Sequence, residues 1–467
     1  MKSNWSSIKT ACLALASVFC LSAVLVACNE VPDMPPPEAD TFKPAEDELG
    51  DGVLEKRYSE YLENSSLAFK NNVPAGADSF SYEKIGESIK ITKYIGEDEI
   101  VVVPEAIEGL EVTDIGSGAF SGGSVRAVYI PDSVNVIEKG AFVECTGLST
   151  LRLPFVGDGG DNAFLGYIFG AGITGENAVK VPQSLDMVII GGEVNEIADE
   201  AFIGCKTLSA VVLPDSVTSV GNMAFYECAD LCFVSLGEGV QSIGEYAFAY
   251  CSSLYYIDCS MASNVSTGAF LYCSKLNGIK LSLSDGDYLG RWFGAVTPDH
   301  NKDFVPDSLR RVEVAEGCEK IPDRAFTECY YIMSVSLPQT LEAIGVRAFY
   351  SCRSLRKIDI PNGTKIIDDD AFFRCDSLAE ITLGNSLESL GMQAFYECRS
   401  IEKISLPETL KEIKSSAFYG CGSLAEIELG GVKKIGKNAF YGCGKLTPVS
   451  LDGVEVAEGN DAIIKGK

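Results

Sequence analysis

Histidine is almost absent from this chain, since His300 is the only one in 467 residues. A catalytic triad with a histidine base, or a metal site built from several histidines, therefore has almost no material. His300 stands in a loop-like segment, residues 297–301, and we interpret it as a solvated residue rather than a ligand.

Basic residues are also few, with 38 Lys and Arg against 66 Asp and Glu and a formal net charge of −28 at pH 7. So acidic a chain repels phosphate backbones and anionic membrane surfaces, which argues against nucleic acid as a partner. We interpret the acidity as a means of keeping an exported surface protein soluble.

Long apolar runs are confined to the N-terminus, where residues 11–26 form one behind Lys2 and Lys9. The run ends in Leu-Val-Ala-Cys28, which resembles the lipobox of bacterial lipoproteins. The sequence therefore predicts a signal peptide over residues 1–27, lipidation at Cys28, and a lipid-anchored place in the cell envelope, on its outer surface. An ordinary signal peptide or a short membrane anchor is the alternative. No later run is long enough to cross a bilayer, so we expect membrane contact through the lipid alone.

What the chain has in abundance is one repeated motif, Ala-Phe-x-x-Cys-x-x-Leu-x-x-Ile-x-Leu, at a step of 22 or 23 residues. A fixed period in this range predicts a solenoid in which each repeat is one coil and neighbouring coils bury a shared core. The Ala-Phe phenylalanines are Phe120, Phe142, Phe202, Phe225, Phe248, Phe270, Phe326, Phe349, Phe372, Phe395, Phe418 and Phe440.

The repeat and the composition around it predict five segments. Residues 1–27 are the signal peptide, residues 28–52 an acidic, proline-rich tether, and residues 53–80 a helical cap or linker. Residues 81–451 form the solenoid, and residues 452–467 a short C-terminal tail. Within a coil, Leu355, Ile358 and Ile360 alternate as a strand with its apolar side inward, and Ile366 and Ile367 make a second inward contact.

Two blocks interrupt the step, at residues 154–200 and 281–324. Residues 164–171 and 288–295 match each other at an offset of 124 residues, as do residues 181–185 and 305–309. A longer repeat therefore lies over the short one, and each block is predicted to hold a variant coil with a protruding loop. The candidate ligand contacts on these loops are Tyr167, Phe169, Arg291 and Trp292.

Fourteen cysteines remain after residue 28, and eleven of them follow the Ala-Phe at the same phase. Equivalent positions on adjacent coils lie roughly 4.8 Å apart, further than the Cβ spacing of about 3.8 Å in a disulfide. We therefore predict a buried column of free thiols that act as small apolar groups. Cys232, Cys259 and Cys318 are off this phase, and their oxidation state stays open.

Two Asp-Gly segments precede the matched parts of the blocks, with Asp158 and Asp161 in the first and Asp285 and Asp287 in the second. Closely spaced carboxylates and glycines suit calcium, but Asp-Gly is foremost a turn signal and the spacing is not that of an EF-hand. We regard these four residues as weak calcium candidates and predict neither a metal nor a cofactor.

The outward residues of each strand are the main candidates for binding. If the concave face is solvated, adjacent coils expose the rings of Phe233 and Tyr256, which suit sugar stacking or a protein contact, although ordinary packing between strands is the more frequent role. A further aromatic column, Tyr350, Phe373, Tyr396, Tyr419 and Tyr441, is regular enough to indicate structural stacking. The candidate ligand-binding residues are Phe233, Tyr255, Tyr256, Asp258, Lys280, Lys357, Asp359 and Glu380.

The repeat unit resembles the leucine-rich repeat of BspA-like bacterial surface proteins, and residues 344–355 carry it almost completely. The resemblance covers roughly residues 81–451. It implies an α/β-type repeat solenoid, mainly β: a right-handed leucine-rich-repeat superhelix with one short strand per 22–23-residue coil and a parallel sheet on its concave face. It also implies extracellular display and a role in adhesion, and it brings no catalytic residues.

These observations favour a lipid-anchored binding protein whose partner is an extracellular protein or a glycan. Two alternatives stay open. A carbohydrate-active enzyme would require a pair of carboxylates in a pocket beside residues 157–171 or 284–295. A structural surface protein would have no specific ligand.

Overall fold

The computed structural model describes residues 73–465. They divide into two compact units, with the boundary between Val240 and Gln241. The predicted signal peptide, Cys28, the tether and most of the predicted cap lie outside the described residues. Among residues 73–465, no helix is long and apolar enough to span a bilayer.

The first unit opens on an antiparallel hairpin that continues into the solenoid. Its strands β1 and β2 pair antiparallel, β2 pairs parallel with β5, and β4 folds back antiparallel on β5. A single 3-10 turn, Ala77–Ser79, precedes the hairpin. These strands are β1 (Phe80–Ile85), β2 (Ser88–Tyr94), β4 (Ala106–Ile107) and β5 (Leu110–Ile115).

Each coil contributes one strand to a parallel sheet, which we call the strand face. In the first unit these strands are β3 (Ile100–Val102), β6 (Ala127–Tyr129), β8 (Thr150–Leu153), β9 (Met187–Ile190), β11 (Ala210–Val212) and β13 (Phe233–Ser235). In the second unit they are β15 (Tyr256–Cys259), β17 (Gly278–Leu281), β18 (Arg311–Val314), β20 (Ser334–Ser336), β22 (Lys357–Asp359), β24 (Glu380–Thr382), β26 (Lys403–Ser405) and β28 (Glu426–Glu428). The parallel-sheet solenoid predicted from the repeat is confirmed.

Most coils add a second strand of two residues, and these form parallel short-strand sheets. In the first unit they are β7 (Val136–Ile137), β10 (Glu196–Ile197) and β12 (Ser219–Val220). In the second unit they are β14 (Ser242–Ile243), β16 (Asn264–Val265), β19 (Lys320–Ile321), β21 (Ala343–Ile344), β23 (Ile366–Ile367), β25 (Ser389–Leu390), β27 (Glu412–Ile413), β29 (Lys434–Ile435) and β30 (Glu455–Val456). Inward contacts were expected at both Ile366 and Ile367. Ile367 is the core residue of such a strand, with no exposed surface, whereas Ile366 is 39% exposed, so the prediction is wrong for Ile366.

The core is a ladder in which each coil repeats the same contacts. The Ala-Phe rings stack on one another, with centroids 5.0 Å apart for Phe349–Phe372 and 5.2 Å for Phe372–Phe395. The thiol of Cys375 donates to the carbonyl of Phe349 at 3.2 Å, and that of Cys398 to Phe372 at 3.0 Å. The repeat cysteines therefore satisfy backbone carbonyls as well as filling space, a role that the sequence did not indicate.

The short helices lie in the two variant blocks and near residue 460. The first block holds a 3-10 helix at Leu165–Phe169, a 3-10 turn at Thr174–Glu176 and helix α1 at Asn177–Lys180. The second block repeats this order with α2 at Leu289–Trp292, a 3-10 turn at Pro298–His300 and α3 at Asn301–Phe304. The predicted 124-residue repeat is therefore a repeat of structure as well.

The prediction of a tail from residue 452 is wrong, because β30 pairs with β29 and helix α4 (Asp461–Lys465) follows it. The buried Asn460 explains the extra coil. Its Oδ1 accepts a hydrogen bond from the N–H of Phe440 at 3.0 Å, the N–H that donates to an alanine carbonyl in coils such as that of Phe418. Because this coil lacks the Ala-Phe motif, the repeat did not predict it.

Candidate functional site

A buried asparagine holds each variant coil in place. Asn177 accepts a hydrogen bond from the N–H of Gly166 at 2.8 Å, and its amide group donates to the carbonyl of Ala201 at 3.3 Å. Asn301 makes the same two bonds, from Gly290 at 2.9 Å and to Ala325 at 3.5 Å. Neither asparagine side chain is exposed. The two blocks are therefore ordered by the same contact.

Two of the four ligand contacts expected on these loops are core residues instead. Phe169 and Trp292 are each 2% exposed, and Phe169 lies 6.0 Å from Phe142, centroid to centroid, as the next ring of the core ladder. The variant coil lacks its own Ala-Phe, so an aromatic residue of the helical segment fills that place. Tyr167 and Arg291 are partly exposed, and Arg291 forms an ion pair with Asp287 at 3.4 Å.

The short-strand sheet is interrupted at both variant blocks. In the first unit β7 pairs with β5 and β10 pairs with β12, and the described chain places no strand between β7 and β10. On the strand face, however, β8 lies between β6 and β9 and pairs with both. The rims β7 and β10 are therefore two coils apart, about 10 Å, and one strand is missing between them.

The backbone groups that a missing strand would engage are open on both rims. In the uniform coils, the carbonyl of Ile344 accepts from the N–H of Asp368 at 2.9 Å, and this bond recurs along the sheet. The rims are the edges of β7 and β10 that face the gap. Within residues 73–465, the carbonyls of Asn135 and Ile137 on the β7 rim accept no such bond. On the β10 rim, the N–H groups of Asn195, Glu196 and Ala198 donate none.

A cleft of about 400 Å³ occupies this interruption, and we call it the strand-gap cleft. Its volume is within the roughly 300–1,000 Å³ typical of ligand sites. One wall comes from the turn before β7, one from the turn before β10, and the floor from the loop after β8. Its lining includes Asp132, Asn135, Phe155, Ala163, Glu193 and Glu196.

A buried arginine supports one wall of the strand-gap cleft. Arg152 is 3% exposed; its guanidinium donates to the carbonyl of Ile130 at 2.6 Å and forms an ion pair with Asp132 at 2.5 Å. Its guanidinium carbon lies 4.7 Å from the ring centroid of Tyr129. A side chain at Gly191 would overlap the guanidinium, so the glycine makes room for it. Arg152 thus belongs to strand β8 and is buried rather than exposed on the strand face.

At the second interruption, between β16 and β19, the loop is tied to the β19 rim. The N–H of Leu283 donates to the thiol of Cys318 at 3.3 Å, and Lys320 pairs with Asp285 at 3.8 Å. Pro322 stands where the first block has Ala198, so one rim N–H is absent altogether. The off-phase Cys318 thus has a specific role, as the acceptor that ties the loop to β19.

The strand face changes character along the chain. In the first unit, the outward residues of β6 to β13 are buried or half-buried, and they include Ala127, Tyr129, Met187, Ile189, Ala210 and Val212. In the second unit, the outward residues of β22, β24, β26 and β28 are all exposed. We call these the polar strip: Lys357, Asp359, Glu380, Thr382, Lys403, Ser405, Glu426 and Glu428.

The prediction of exposed rings at Phe233 and Tyr256 is wrong, since they are 0% and 5% exposed. Parallel pairing sets equivalent positions side by side, so a large ring is covered by its neighbours; Phe233 stands in register with Ala210, whose small side chain leaves room beside it. Tyr255 is half-buried. Asp258 and Lys280 are partly buried and lie 3.5 Å apart as an ion pair. Of the eight binding candidates, Lys357, Asp359 and Glu380 are exposed.

Comparison with known families agrees with the fold. The profile of the BspA type leucine rich repeat region matches six copies, over residues 109–168, 173–288 and 319–447. The chain belongs to the BspA-type leucine-rich repeat proteins. A search of curated proteins finds no match.

Solved structures with this fold include other bacterial repeat proteins. A leucine-rich repeat protein from Bacteroides ovatus is 23% identical, with 83% of this chain and 99% of that chain covered and a TM-score of 0.33. A leucine rich cell surface protein from Faecalibacterium prausnitzii is 22% identical, with 85% and 98% covered and a TM-score of 0.29.

The cysteines within residues 73–465 of this BspA-type chain are unsuited to nucleophilic chemistry. All fourteen in the described residues are free and buried, Cys232 and Cys259 included, so the predicted thiol column is confirmed. Burial raises the pKa of the Cys145 thiol to about 11 and that of Cys443 to about 12. A reactive cysteine needs a lowered pKa and an open approach, and these groups have neither.

The Asp-Gly segments of the BspA-type blocks form turns. Asp158 accepts hydrogen bonds from the N–H of Gly160 at 2.8 Å and from the side chain of Asn162 at 2.7 Å. Asp287 accepts from the N–H of Ser284 at 2.8 Å, while Asp161 and Asp285 are exposed. Across the described residues, no three potential ligands converge on a metal position.

The residues of the strand-gap cleft were missed in the sequence. The signal that could have found them is the length of the two blocks. From β8 to β9 the strands start 37 residues apart, but from β17 to β18 only 33, and the four extra residues belong to the loop that floors the cleft. The repeated segments mark where the two blocks match and not where their lengths differ.

Proposed function

We propose that this BspA-type protein is a lipid-anchored surface protein that binds an extracellular protein and performs no catalysis. The polar strip carries the proposal. It is a row of exposed side chains on a regular sheet, and its first column alternates in charge along the chain through Lys357, Glu380, Lys403 and Glu426. Fixed, alternating charges of this kind give specificity for a complementary protein surface.

A protein partner fits the strip better than a glycan. Stacking on sugar rings requires open aromatic faces, and the strip contains no aromatic residue. The strand-face rings with the best prospects, Phe233 and Tyr256, are buried. The stacked column from Tyr350 to Tyr441 covers its own faces, with centroids 4.6–5.0 Å apart.

Anchoring through Cys28 rests on the sequence, in which an apolar run ends at Leu-Val-Ala-Cys28 and an acidic, proline-rich segment follows. Such a segment stays extended and would hold the folded units away from the bilayer. Replacing Cys28 by Ser should release the protein from the membrane fraction and abolish labelling by a clickable fatty acid. Retention of both would contradict the anchor.

Binding without catalysis is supported by the state of the acidic groups in the strand-gap cleft. A glycoside hydrolase keeps one carboxyl protonated by holding it in an apolar site. Glu193 and Glu196 are exposed, and Asp132 is 48% exposed and paired with Arg152. His300, the other acid–base candidate, is exposed and contacts Thr297 at 2.9 Å.

The test is a parallel screen of the ectodomain, residues 29–467, against extracellular proteins and glycans. For a protein that binds, the double variant Glu380→Lys/Lys403→Glu should lose roughly tenfold or more in affinity, because two neighbouring positions of the first column then present the wrong charge to the partner. The double variant Glu388→Lys/Lys433→Glu is the matched control. It also reverses two exposed charges without changing net charge, but on the short-strand side.

Equal losses in the two double variants would show that the strip is not the contact. Binding to glycans alone would overturn the choice of a protein partner.

A further inference from the structure

We propose that the strand-gap cleft binds an extended segment of a partner protein, which enters as the missing strand between β7 and β10 and carries lysine or arginine side chains. This site lies in the first unit, on the short-strand side, and is independent of the polar strip. Adding a strand to an open sheet edge is a general mode of peptide recognition, in which backbone bonds supply affinity and side-chain contacts supply specificity.

The backbone chemistry of the rims is complementary to one strand. The β7 rim offers the carbonyls of Asn135 and Ile137, and the β10 rim offers the N–H groups of Asn195, Glu196 and Ala198, all without backbone partners in the described chain. A segment parallel to both rims would donate to the first and accept from the second, as the second strand of a uniform coil does. The rim spacing of two coils, about 10 Å, leaves room for one strand.

The residues of the rims reach the surface. Asn135, Val136, Asn195 and Glu196 are all exposed. The loop after β8 passes close to the β7 rim at a glycine, since a Cβ on Gly159 would lie only 2.6 Å from the carbonyl oxygen of Asn135. Exposed sheet edges normally invite pairing and are usually blocked, so an open pair of edges beside a cleft is a binding feature.

The charge of the lining selects the side chains of the occupant. Asp132, Glu193 and Glu196 line the cleft, and none of its lining residues is a lysine or arginine. Phe155, Val134 and Val156 supply the apolar contact between them. The acidic tether of this chain, residues 28–52, carries the wrong charge, so we assign the site to another protein.

The second variant block has the same gap, and its β19 rim is less suited to strand addition. Pro322 removes one rim donor, and Cys318 and Lys320 hold the loop across the gap. Proline and charged residues at an edge are common means of preventing strand addition.

The probe for the test is a capped eight-residue peptide that alternates lysine with threonine. It is compared with its glutamate–threonine counterpart and with a lysine–threonine peptide N-methylated at alternate residues. The N-methylated peptide keeps the charge but loses half of its N–H donors. Binding to the ectodomain is measured by calorimetry. We expect the lysine peptide to bind and the other two to bind at least tenfold more weakly.

Two variants at one position separate charge from backbone pairing. Glu196→Gln removes only the charge and should weaken binding a few fold. Glu196→Pro also removes the rim N–H, which has no partner in the free protein, and should reduce binding at least tenfold more. Lys320→Pro, at the equivalent position of the second gap, is the control and should leave binding unchanged. If Glu196→Pro does not fold, Ala163→Trp fills the cleft without altering either rim and should abolish binding.

Three results would overturn the proposal. One is no binding of the lysine peptide; another is equal binding of the N-methylated peptide, which would reduce the effect to surface charge. The third is unchanged binding in both Glu196→Pro and Ala163→Trp. Loss of binding in the polar-strip variant Glu380→Lys/Lys403→Glu would place the peptide there instead, so failure of this proposal and failure of the proposed function are distinguishable.

Discussion

The first and second variant blocks are built from the same parts and use the space beside them differently. Both bury an asparagine that bonds to a glycine N–H and an alanine carbonyl, and both lack a second strand. In the first block the loop after β8 is four residues longer and leaves a cleft between two open rims. In the second, Cys318 and Lys320 tie the shorter loop down. The shared asparagine thus preserves the coil, while the loop length and the rim residues differ between the two gaps.

The largest loss of folding stability should come from removing the buried asparagine that both blocks share. Replacing Asn177 or Asn301 by Ala leaves a buried glycine N–H without its partner and removes one of the two hydrogen bonds to an alanine carbonyl, which should lower the free energy of unfolding by about 1–3 kcal/mol in each case. Denaturant unfolding measures it, with the exposed Asn385→Ala as the control. A cost in only one block would break the claim that the blocks share one plan.

A smaller loss of folding stability, in the second block only, should come from a contact that the first block lacks. Cys318→Ala removes the acceptor of the Leu283 N–H, and this should cost about 1 kcal/mol or more. Val194→Ala, at the matching place in the first block, removes half-buried methyl groups beside the cleft and should cost less. Equal costs would indicate that the thiol does not hold the second gap closed.

The smallest effect should be a pH dependence of the stability of the loop after β8, which contains Asp158. Burial raises the pKa of Asp158, but hydrogen bonds from Asn162 and Gly160 outweigh it and lower the pKa below the ordinary value of 3.8. The carboxylate therefore stabilises the loop above pH 3.8, and this contribution is lost as the pH falls through the lowered value.

Protection of the Gly160 and Asn162 amides from hydrogen exchange should fall in that acid range in the native protein. In Asp158→Asn the dependence should be absent. A loop whose protection does not change with pH in either protein would rule out this role for Asp158.

The repeat made the solenoid, its core rings and its thiol column predictable, because a motif that recurs at one period must occupy one environment. Two pairs of residues were wrongly expected to be exposed, and in both cases the expectation came from the residue pattern. Phe233 and Tyr256 were expected to be exposed because strand residues alternate, yet alternation gives direction and not solvent access. Phe169 and Trp292 were expected on loops because they break the motif, although both are buried, and Phe169 fills the ring position that the motif leaves empty, as Phe293 does in the second block.

The strand-gap cleft could not be predicted for a different reason. Its edges are formed by backbone groups of Asn135, Ile137, Asn195, Glu196 and Ala198. Every residue type carries a backbone carbonyl, and a missing strand therefore has no residue pattern that would indicate it. Only the difference between gaps of 60 and 56 residues, from Phe142 to Phe202 and from Phe270 to Phe326, pointed to a change of loop length.

Amide hydrogen exchange of the free ectodomain shows whether the rims of the first gap are open. With open rims, we expect fast exchange at Asn195, Glu196 and Ala198 and slow exchange at Thr218 and Gly221, whose N–H groups donate to the carbonyls of Asn195 and Ile197 at 2.8 and 2.7 Å. If the three amides at the β10 rim were protected as strongly as those of Thr218 and Gly221, the gap would already be filled and the rims would not be open.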